Sequence, residues 1–195
     1  PDCVDTLVEV PADFPTIATA LDAVPDGFTI QLLPGVYNEI VDLRERSLTI
    51  EGDPIDSSVV VLDGTGLSGS IVSLIDTGDA NDVTLRGLTL RNGTIGTDLS
   101  GSSLTGGGAI FMQGGSPTIE RCIFVSNASD RGGAVAVVAA DSPRFNDCTF
   151  LENTGFDSGG AMFVDGVSNA TIEGCGFEGN MTGGSGGALR LDGGT

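Results

Sequence analysis

GGAI at residues 107–110, GGAV at 132–135, GGAM at 159–162 and GGAL at 186–189 repeat one four-residue motif along the second half of the chain. A second motif, Cys-x-Phe-x-x-Asn, lies between successive copies of the first. The alanines of the first motif stand at positions 109, 134, 161 and 188, so the period is 25 to 27 residues. Internal repetition with this period is typical of solenoid proteins.

The residues between the motifs predict short β-strands. Runs of alternating apolar and polar residues, such as Thr118–Glu120, are separated by Gly, Asn, Ser and Asp, and no repeat contains a continuous helical stripe. The sequence therefore predicts an all-β fold, a parallel β-helix in which each repeat forms one coil and about six coils stack.

Residues that recur at one repeat position are expected to stack as ladders inside the coils. Asn at a corner can satisfy turn amides, and Cys inside a coil behaves as a small hydrophobe. Asn92 is included because the apolar pattern before it resembles the pattern before Asn127. The predicted ladder residues are Cys122, Cys148, Cys175, Phe124, Phe150, Phe177, Asn92, Asn127, Asn153 and Asn180.

The alternation of GGA plus a large apolar residue with Phe-x-x-Asn resembles the repeats of the polymorphic outer-membrane protein family of bacterial surface proteins. This resemblance covers about half of the chain and implies a right-handed β-helix with a role in surface display or adhesion. The opening, DFPTIATALDAVPDGFTIQLLPGVYNEIVDLRERSLTIEGD at 13–53 with VVLDG at 60–64, is similar to the first coils of pectin methylesterases and of the pectate-lyase-like superfamily. It implies the same fold, but the later phrases that carry the esterase chemistry do not occur here.

The N-terminal segment predicts a helix. Residues 14–24, FPTIATALDAV, place four apolar side chains at helical spacing: Ile17, Ala20, Leu21 and Val24. Because the open end of a β-helix exposes its core and its strand edges, we expect this helix to cap it. The predicted organisation is an N-terminal cap over 1–27 and a β-helix over 28–195 that is uncapped at its C-terminal end.

The charge balance limits the partners. The chain has 8 basic residues, all of them Arg, against 27 Asp and Glu, and its net charge is −19. A field of this sign repels nucleic acid and anionic membranes, and no segment approaches the length of a membrane span. We therefore expect no nucleic-acid partner, no membrane insertion, and an extracellular or cell-surface location.

Two turns depart from the repeat and are candidate sites. The first supplies the oxygen ligands that Ca²⁺ prefers, in Asp76, Asp79, Asn81 and Asp82. The second, over 93–106, is longer than the matching turns, and its polar residues predict a binding loop: Asp98, Ser100, Ser102 and Thr105. A solvated turn without a ligand is the alternative for each. The sequence requires no cofactor, and Ca²⁺ is the candidate ion.

The residues available for catalysis are few. The chain has no His and no Lys, which excludes a Ser-His nucleophile and the commonest general bases. A pectate-type lyase would resemble an acidic calcium cluster beside an arginine base. The irregular spacing of Arg86, Arg121, Arg144 and Arg190 predicts no acidic cluster in register with them. A glycosidase-type carboxylate pair stays open, because 27 acidic residues supply many pairs.

These features favour a non-enzymatic extracellular or cell-surface module for structure or adhesion. The expected partners are a carbohydrate or surface-protein ligand and, through the solenoid ends, further copies of the chain in a homo-oligomer or filament. The alternatives are a polysaccharide-active lyase or esterase fragment and a calcium-stabilised carbohydrate-binding module.

The acidic turn generates a first prediction. A chelator should lower the melting temperature of the chain, because an ion that binds only the folded state stabilises it. Replacing Asp79 with Ala should remove this response. The measurement is thermal unfolding by circular dichroism in Ca²⁺ and in EDTA, and identical curves for the unaltered chain would exclude calcium at this turn.

Overall fold

The computed structural model describes residues 6–75, 82–95, 106–167 and 169–193. Within these ranges the chain forms short strands and one short helix. In chain order they are β1 (Leu7–Val10), α1 (Ile17–Ala23), β2 (Thr29–Leu32), β3 (Gly35–Tyr37), β4 (Val41–Asp42), β5 (Thr49–Glu51), β6 (Val60–Asp63), β7 (Val72–Ile75), β8 (Thr84–Arg86), β9 (Thr89–Arg91), β10 (Ile110–Gln113), β11 (Thr118–Glu120), β12 (Ile123–Val125), β13 (Ala128–Arg131), β14 (Val135–Val138), β15 (Arg144–Asn146), β16 (Thr149–Leu151), β17 (Thr154–Ser158), β18 (Met162–Asp165), β19 (Thr171–Glu173), β20 (Gly176–Glu178), β21 (Met181–Thr182) and β22 (Leu189–Asp192).

The strands stack in parallel into sheets that run along the molecule. Sheet A has the order β1-β2-β5-β8-β11-β15-β19, sheet B the order β3-β6-β9-β12-β16-β20, and sheet C the order β4-β7-β10-β14-β18-β22. A smaller sheet D, β13-β17-β21, lies between B and C in the later coils. Between β2 and β22 the chain passes through A, B and C in turn six times, which confirms the predicted parallel β-helix of about six coils.

The core is a column of side chains that point inward from successive strands. On sheet B, the ring centroids of Phe124 and Phe150 are 4.7 Å apart, and those of Phe150 and Phe177 are 4.8 Å apart. This distance matches the spacing of neighbouring strands, about 4.8 Å, because each ring belongs to the equivalent residue of the next strand. Sheet A contributes a matching column of fully buried residues: Ile30, Ile50, Leu85, Ile119 and Phe145.

The glycines of the GGA motif lie where neighbouring coils come closest. A Cβ atom placed on Gly133 would lie 2.3 Å from the carbonyl oxygen of Gly160 in the next coil, which is too close for any side chain. Gly132 has a φ of +64°, a left-handed conformation that glycine adopts without a steric penalty. The motif therefore forms the tight corner that precedes each later strand of sheet C.

Asn127, Asn153 and Asn180 lie one above another at the corner after sheet B. Asn153 Oδ1 accepts hydrogen bonds from the backbone N–H and the Nδ2 of Asn127, both at 3.0 Å. Asn180 Oδ1 accepts the same two bonds from Asn153, at 3.0 and 2.9 Å. The Nδ2 of Asn153 also donates to the carbonyl of Phe124 at 3.0 Å. The ladder thus satisfies buried amides and joins successive corners.

Asn92 does not belong to this ladder, and that part of the prediction is wrong. The register of β9 against β12 places Gly93, three residues after the inward-facing Leu90, level with Asn127. The N–H of Gly93 donates to Asn127 Oδ1 at 2.8 Å. Asn92 instead adopts a φ of +57° and donates to Asp63 Oδ1 at 3.2 Å. The apolar pattern alone therefore located the corner one residue too early.

The three cysteines of the repeat stack at the position before each strand of sheet B. Cys122 and Cys148 are buried, Cys175 is half-buried, and all three are free thiols. Burial raises the pKa of the Cys122 thiol to about 12. Cys3 lies outside the described residues.

Helix α1 is shorter than the predicted segment because Thr16 caps it. The Thr16 hydroxyl accepts a hydrogen bond from the N–H of Thr19 at 3.1 Å, so the helix begins at residue 17 rather than 14. The Glu39 carboxylate accepts from the first two helical N–H groups, each at 3.1 Å. Arg46 donates to two carbonyls at the other end, at 2.7 and 2.8 Å. An anion and a cation thus complement the two ends of the helix dipole.

The N-terminal segment also contributes a strand. β1 pairs in register with β2 and so extends sheet A by one strand. Helix α1 packs against β1 and β4 and buries Ile17, Ala20 and Leu21. The segment predicted as a cap therefore contains both a helix and a strand, and a boundary at residue 27 stays a prediction.

The asparagine ladder generates a stability prediction. Replacing Asn153 with Ala should lower the free energy of unfolding by about 3 kcal/mol, because the N–H of Asn127 and the carbonyl of Phe124 lose their partners while buried. The measurement is urea unfolding followed by circular dichroism. The control is Asn169→Ala, an exposed position outside the ladder, where the change should stay below about 0.5 kcal/mol. Equal effects in both variants would contradict a stabilising ladder.

Candidate functional site

The two turns predicted as binding sites fall mostly outside the described residues. Asp82 is described and exposed, and its backbone N–H donates to Ser47 Oγ at 3.3 Å. The calcium and ligand sites at these turns stay predictions. Outside the described residues lie Asp76, Asp79, Asn81, Asp98, Ser100, Ser102 and Thr105.

An open groove of about 360 Å³ lies where the chain leaves sheet A and turns toward sheet B. The residues that line it are all polar and come from three successive coils, so a ligand extended along the solenoid would meet equivalent positions about every 4.8 Å. The lining residues are Glu120, Arg121, Asn146, Asp147 and Glu173.

Strand register builds one side of the groove. Glu120, Asn146 and Glu173 are paired residues on the outward face of β11, β15 and β19. Arg86 of β8 precedes them in the same row, and its Nη2 donates to Glu51 Oε2 at 2.7 Å. The row therefore alternates acid and base before it reaches the groove.

The row places Glu51 and Glu120 in register with Arg86, one on each side, whereas the described residues hold no acidic cluster of the kind that binds calcium. Successive strands of sheet A begin at residues 49, 84, 118, 144 and 171, so the coils differ in length. Turns inserted between strands lengthen the sequence without changing the register of the strands. Regular spacing in sequence is therefore not needed for alignment in space.

Arg121 and Asp147 form the other side of the groove, at the corner that follows each strand. Their φ angles are +47° and +53°, whereas the same corner is glycine in the adjoining coils, as Gly87 and Gly174. A left-handed conformation costs a side chain such as arginine about 1–2 kcal/mol. The fold does not require a side chain at this corner, so Arg121 and Asp147 are candidates for function.

Arg121 and Arg144 are the arginines for which the described residues show no ion pair. The other six arginines each lie within 3.4 Å of a carboxylate. Arg144 begins β15 on the outward face, in register with Thr118 and Thr171 of the adjoining strands. In a chain of net charge −19, two guanidinium groups on one face are thus available to a ligand.

A turn from an earlier coil borders the groove. Thr89 Oγ1 donates to the carbonyl of Ser57 at 2.8 Å, and Ser57 Oγ donates to the carbonyl of Arg121 at 2.5 Å. The turn between β5 and β6 therefore crosses the outside of the next two coils. Through Ser57 it holds the backbone of Arg121.

A second polar cluster, around Asp63 of β6, has a structural role. Burial alone would raise the pKa of Asp63, but hydrogen bonds from Thr65, Asn92 and Arg91 outweigh it and hold the pKa well below its usual range. Thr65 Oγ1 lies 2.6 Å and Arg91 Nε 2.9 Å from the carboxylate. The cluster joins two neighbouring coils through internal contacts.

Sequence reasoning missed the groove, although a signal was present. Two residues precede each cysteine of the ladder, and the first of them is polar in all three repeats. The pairs are Glu120-Arg121, Asn146-Asp147 and Glu173-Gly174. Aligning the repeats on the cysteines would have placed these residues on one face. The spacing of the arginines by itself does not show this alignment.

Within the described residues, the carboxylates of the groove do not form a metal centre. No three His, Cys, Asp or Glu side chains in these ranges converge as ligands, so the carboxylates of the groove stand apart. In the same ranges there is no helix with the length and hydrophobicity needed to cross a membrane.

Comparison with known proteins identifies the family. A family model described as a right-handed β-helix region matches residues 54–194, and the chain belongs to this family. No curated protein matches the sequence. The resemblance of the repeats to polymorphic outer-membrane proteins stays a prediction.

Two solved structures are similar to the chain in fold. A pectin methylesterase mutant in complex with a hexasaccharide aligns with 16% identity and a TM-score of 0.51, over 83% of this chain and 63% of the esterase. The pectin methylesterase PemA from Erwinia chrysanthemi aligns with 15% identity and a TM-score of 0.44, over 85% of this chain and 65% of the esterase. The chain therefore spans less than two thirds of either esterase, and the likeness concerns the fold alone.

The Asp63 cluster generates a prediction about pH. Replacing Asp63 with Asn should lower the free energy of unfolding at pH 7 by about 2 kcal/mol, since charged hydrogen bonds are lost. The folded-state pKa is depressed, so this stabilisation is present above the unfolded pKa of about 3.9 and lost as pH falls through the folded value. Urea unfolding between pH 7 and pH 3 should show the variant and the unaltered chain converging below about pH 4. A constant difference over this range would contradict an ionised Asp63.

Proposed function

We propose that this chain is a non-enzymatic β-helix module of an extracellular or cell-surface protein, and that it binds a glycan along the outer face of sheet A. The observation that carries the proposal is the pair Arg121 and Arg144, which form no ion pair with any described residue and lie beside the carboxylates and amide of the groove. The other arginines of this acidic chain are neutralised by carboxylates of the fold itself.

The chemistry of the groove suits a polyhydroxylated ligand. A sugar hydroxyl both donates and accepts hydrogen bonds, and the groove offers guanidinium donors, carboxylate acceptors and the amide of Asn146, which does both. Polar groups that converge in a concave site are the usual means of orienting a ligand.

The scaffold favours binding because it holds these groups in advance. Glu120, Asn146 and Glu173 belong to hydrogen-bonded strands, and the backbone of Arg121 is held by Ser57. A ligand therefore meets side chains whose backbone is already ordered, which reduces the entropic cost of association.

The balance of charge favours a neutral or amine-bearing glycan over a polyanion. Three carboxylates and one guanidinium line the groove, and Arg144 adds a second guanidinium beside it. The net charge of −19 opposes any strongly anionic chain at longer range.

A polysaccharide-active enzyme is the second candidate, and the groove carboxylates are the observation that favours it. Glu120, Asp147 and Glu173 stand on successive coils, and carboxylate pairs perform glycoside hydrolysis in many enzymes. The fold likeness to pectin methylesterases is compatible with a carbohydrate-directed role. It does not transfer their reaction, because one fold supports many sites.

The test uses two substitutions that restore the residue of the adjoining coils. Arg121→Gly and Arg144→Thr should each keep the fold, since Gly and Thr occupy these positions in neighbouring repeats. Ligands would first be found on an array of neutral, amino-containing and uronic-acid-containing oligosaccharides, and affinities measured by titration calorimetry. Each variant should bind at least tenfold more weakly, about 1.4 kcal/mol.

The matched control is Arg44→Ala. Arg44 pairs with Asp42 on sheet C and both side chains are exposed, so its loss should leave binding unchanged. Equal affinity in all three variants would overturn the proposed site. Release of methanol or of shortened oligosaccharide by the unaltered chain would instead establish the enzyme.

A further inference from the structure

Cys148 and Cys175 occupy equivalent positions in successive coils. Gly176 donates its N–H to the carbonyl of Cys148 at 2.9 Å, so the two cysteines lie one directly above the other. Their sulfur atoms have the same environment: Cys148 Sγ lies 3.5 Å from the carbonyl oxygen of Ile119, and Cys175 Sγ lies 3.5 Å from that of Phe145. The two thiols therefore share one orientation along the solenoid.

The two thiols are neighbours in the stack, and solvent reaches one of them. Cys148 and Cys122 are each only 1% exposed, whereas Cys175 is half-buried. Among the described thiols, the pair that solvent can reach is thus Cys148 with Cys175.

The spacing of the coils decides which chemistry suits this pair. Neighbouring parallel strands lie about 4.8 Å apart, whereas a disulfide requires about 2.05 Å between its sulfurs. A zinc–thiolate bond is about 2.3 Å long, and with bonds of this order an ion midway between two thiolates spans about 4.6 Å. A bridging ion therefore matches the stacked cysteines, while a disulfide requires the coils to draw together or the side chains to rotate.

We infer that Cys148 and Cys175 form a two-coordinate site for a soft monovalent cation of the Cu(I) and Ag(I) class. Thiolate sulfur is the protein ligand that selects such ions. On binding, each thiol releases its proton to solvent and one sulfur–metal bond forms at each cysteine, with no change in oxidation state. Ions that need three or more protein ligands do not fit this site, since no three ligating side chains converge in the described ranges.

The surroundings of Cys175 favour the approach of a cation. The Asp147 carboxylate lies beside the backbone of Gly174, 2.2 Å from where a Cβ atom of that residue would stand. Gly174 immediately precedes Cys175, so this carboxylate lies near the half-buried thiol. A carboxylate at the opening raises the local concentration of cations without serving as a third ligand.

The test is an Ag(I) titration of the reduced 195-residue chain, in a Cys3→Ser background and a buffer without chloride or added thiols. Native mass spectrometry would give the stoichiometry, and ultraviolet absorption would detect thiolate–metal bonds. The expected result is one tightly held ion per chain. Cys175→Ser should weaken binding at least a hundredfold, and Cys122→Ser, the matched control one coil away, should leave it unchanged. Circular dichroism would verify the fold of each variant.

Cys148→Ser and Cys148→Ala should both lose the site, and the Ala variant covers the case in which Ser is not tolerated in the core. Undiminished binding by the Cys175→Ser variant would overturn the inference, as would an equal loss on Cys122→Ser. Ready formation of a Cys148–Cys175 disulfide by the unaltered chain, seen as a mass loss on mild oxidation, would contradict the spacing on which the site depends.

Discussion

Each coil hydrogen bonds in register to the coils on either side of it, and the rest of the structure depends on this stacking. Residues one repeat apart in sequence become neighbours about 4.8 Å apart in space. An inward position must therefore hold a residue that packs well against a copy of itself. Aromatic rings stack on rings, as Phe124 does on Phe150, and amides hydrogen bond to amides, as Asn127 does to Asn153. Like charges repel in such a stack, so the carboxylates lie on the outward rows.

The outward rows are free to carry function because packing does not decide their residues. Most strands of sheet A begin with Thr, but β15 begins with Arg144. The corner after β8 and after β19 is a glycine, but in the two coils between them it is Arg121 and Asp147. These replacements do not improve the stack, and a left-handed arginine weakens it. Their clustering on one polar groove is the reason to expect a ligand there. The likeness to one pectin methylesterase structure concerns the scaffold alone, so the site must be argued from this chain's own residues.

The ladders and the groove were not equally predictable from the sequence. The cysteine, phenylalanine and asparagine positions of the last three coils follow from the repeat, since a fixed spacing within each motif keeps its residues on the same face. The corner near Asn92 does not follow from the repeat, because that coil has leucines in place of the cysteine and phenylalanine that mark the later coils. The groove was missed for a related reason: its residues align through strand register, while the sequence between the strands varies in length.

The sequence by itself determined the class of fold, because recurring Gly-Gly-Ala corners and alternating strand patterns are compatible with a stack of parallel coils and with little else. It also determined that the net charge of the molecule is negative, since net charge depends only on composition. Only the tertiary structure decided which outward side chains meet. Residues such as Glu51, Arg86 and Glu120 are separated by turns of unequal length, and hydrogen-bonded register alone brings them into one row. Which arginines pair with a carboxylate of another coil, as Arg86 does with Glu51, is likewise decided by distances that exist only in the folded chain.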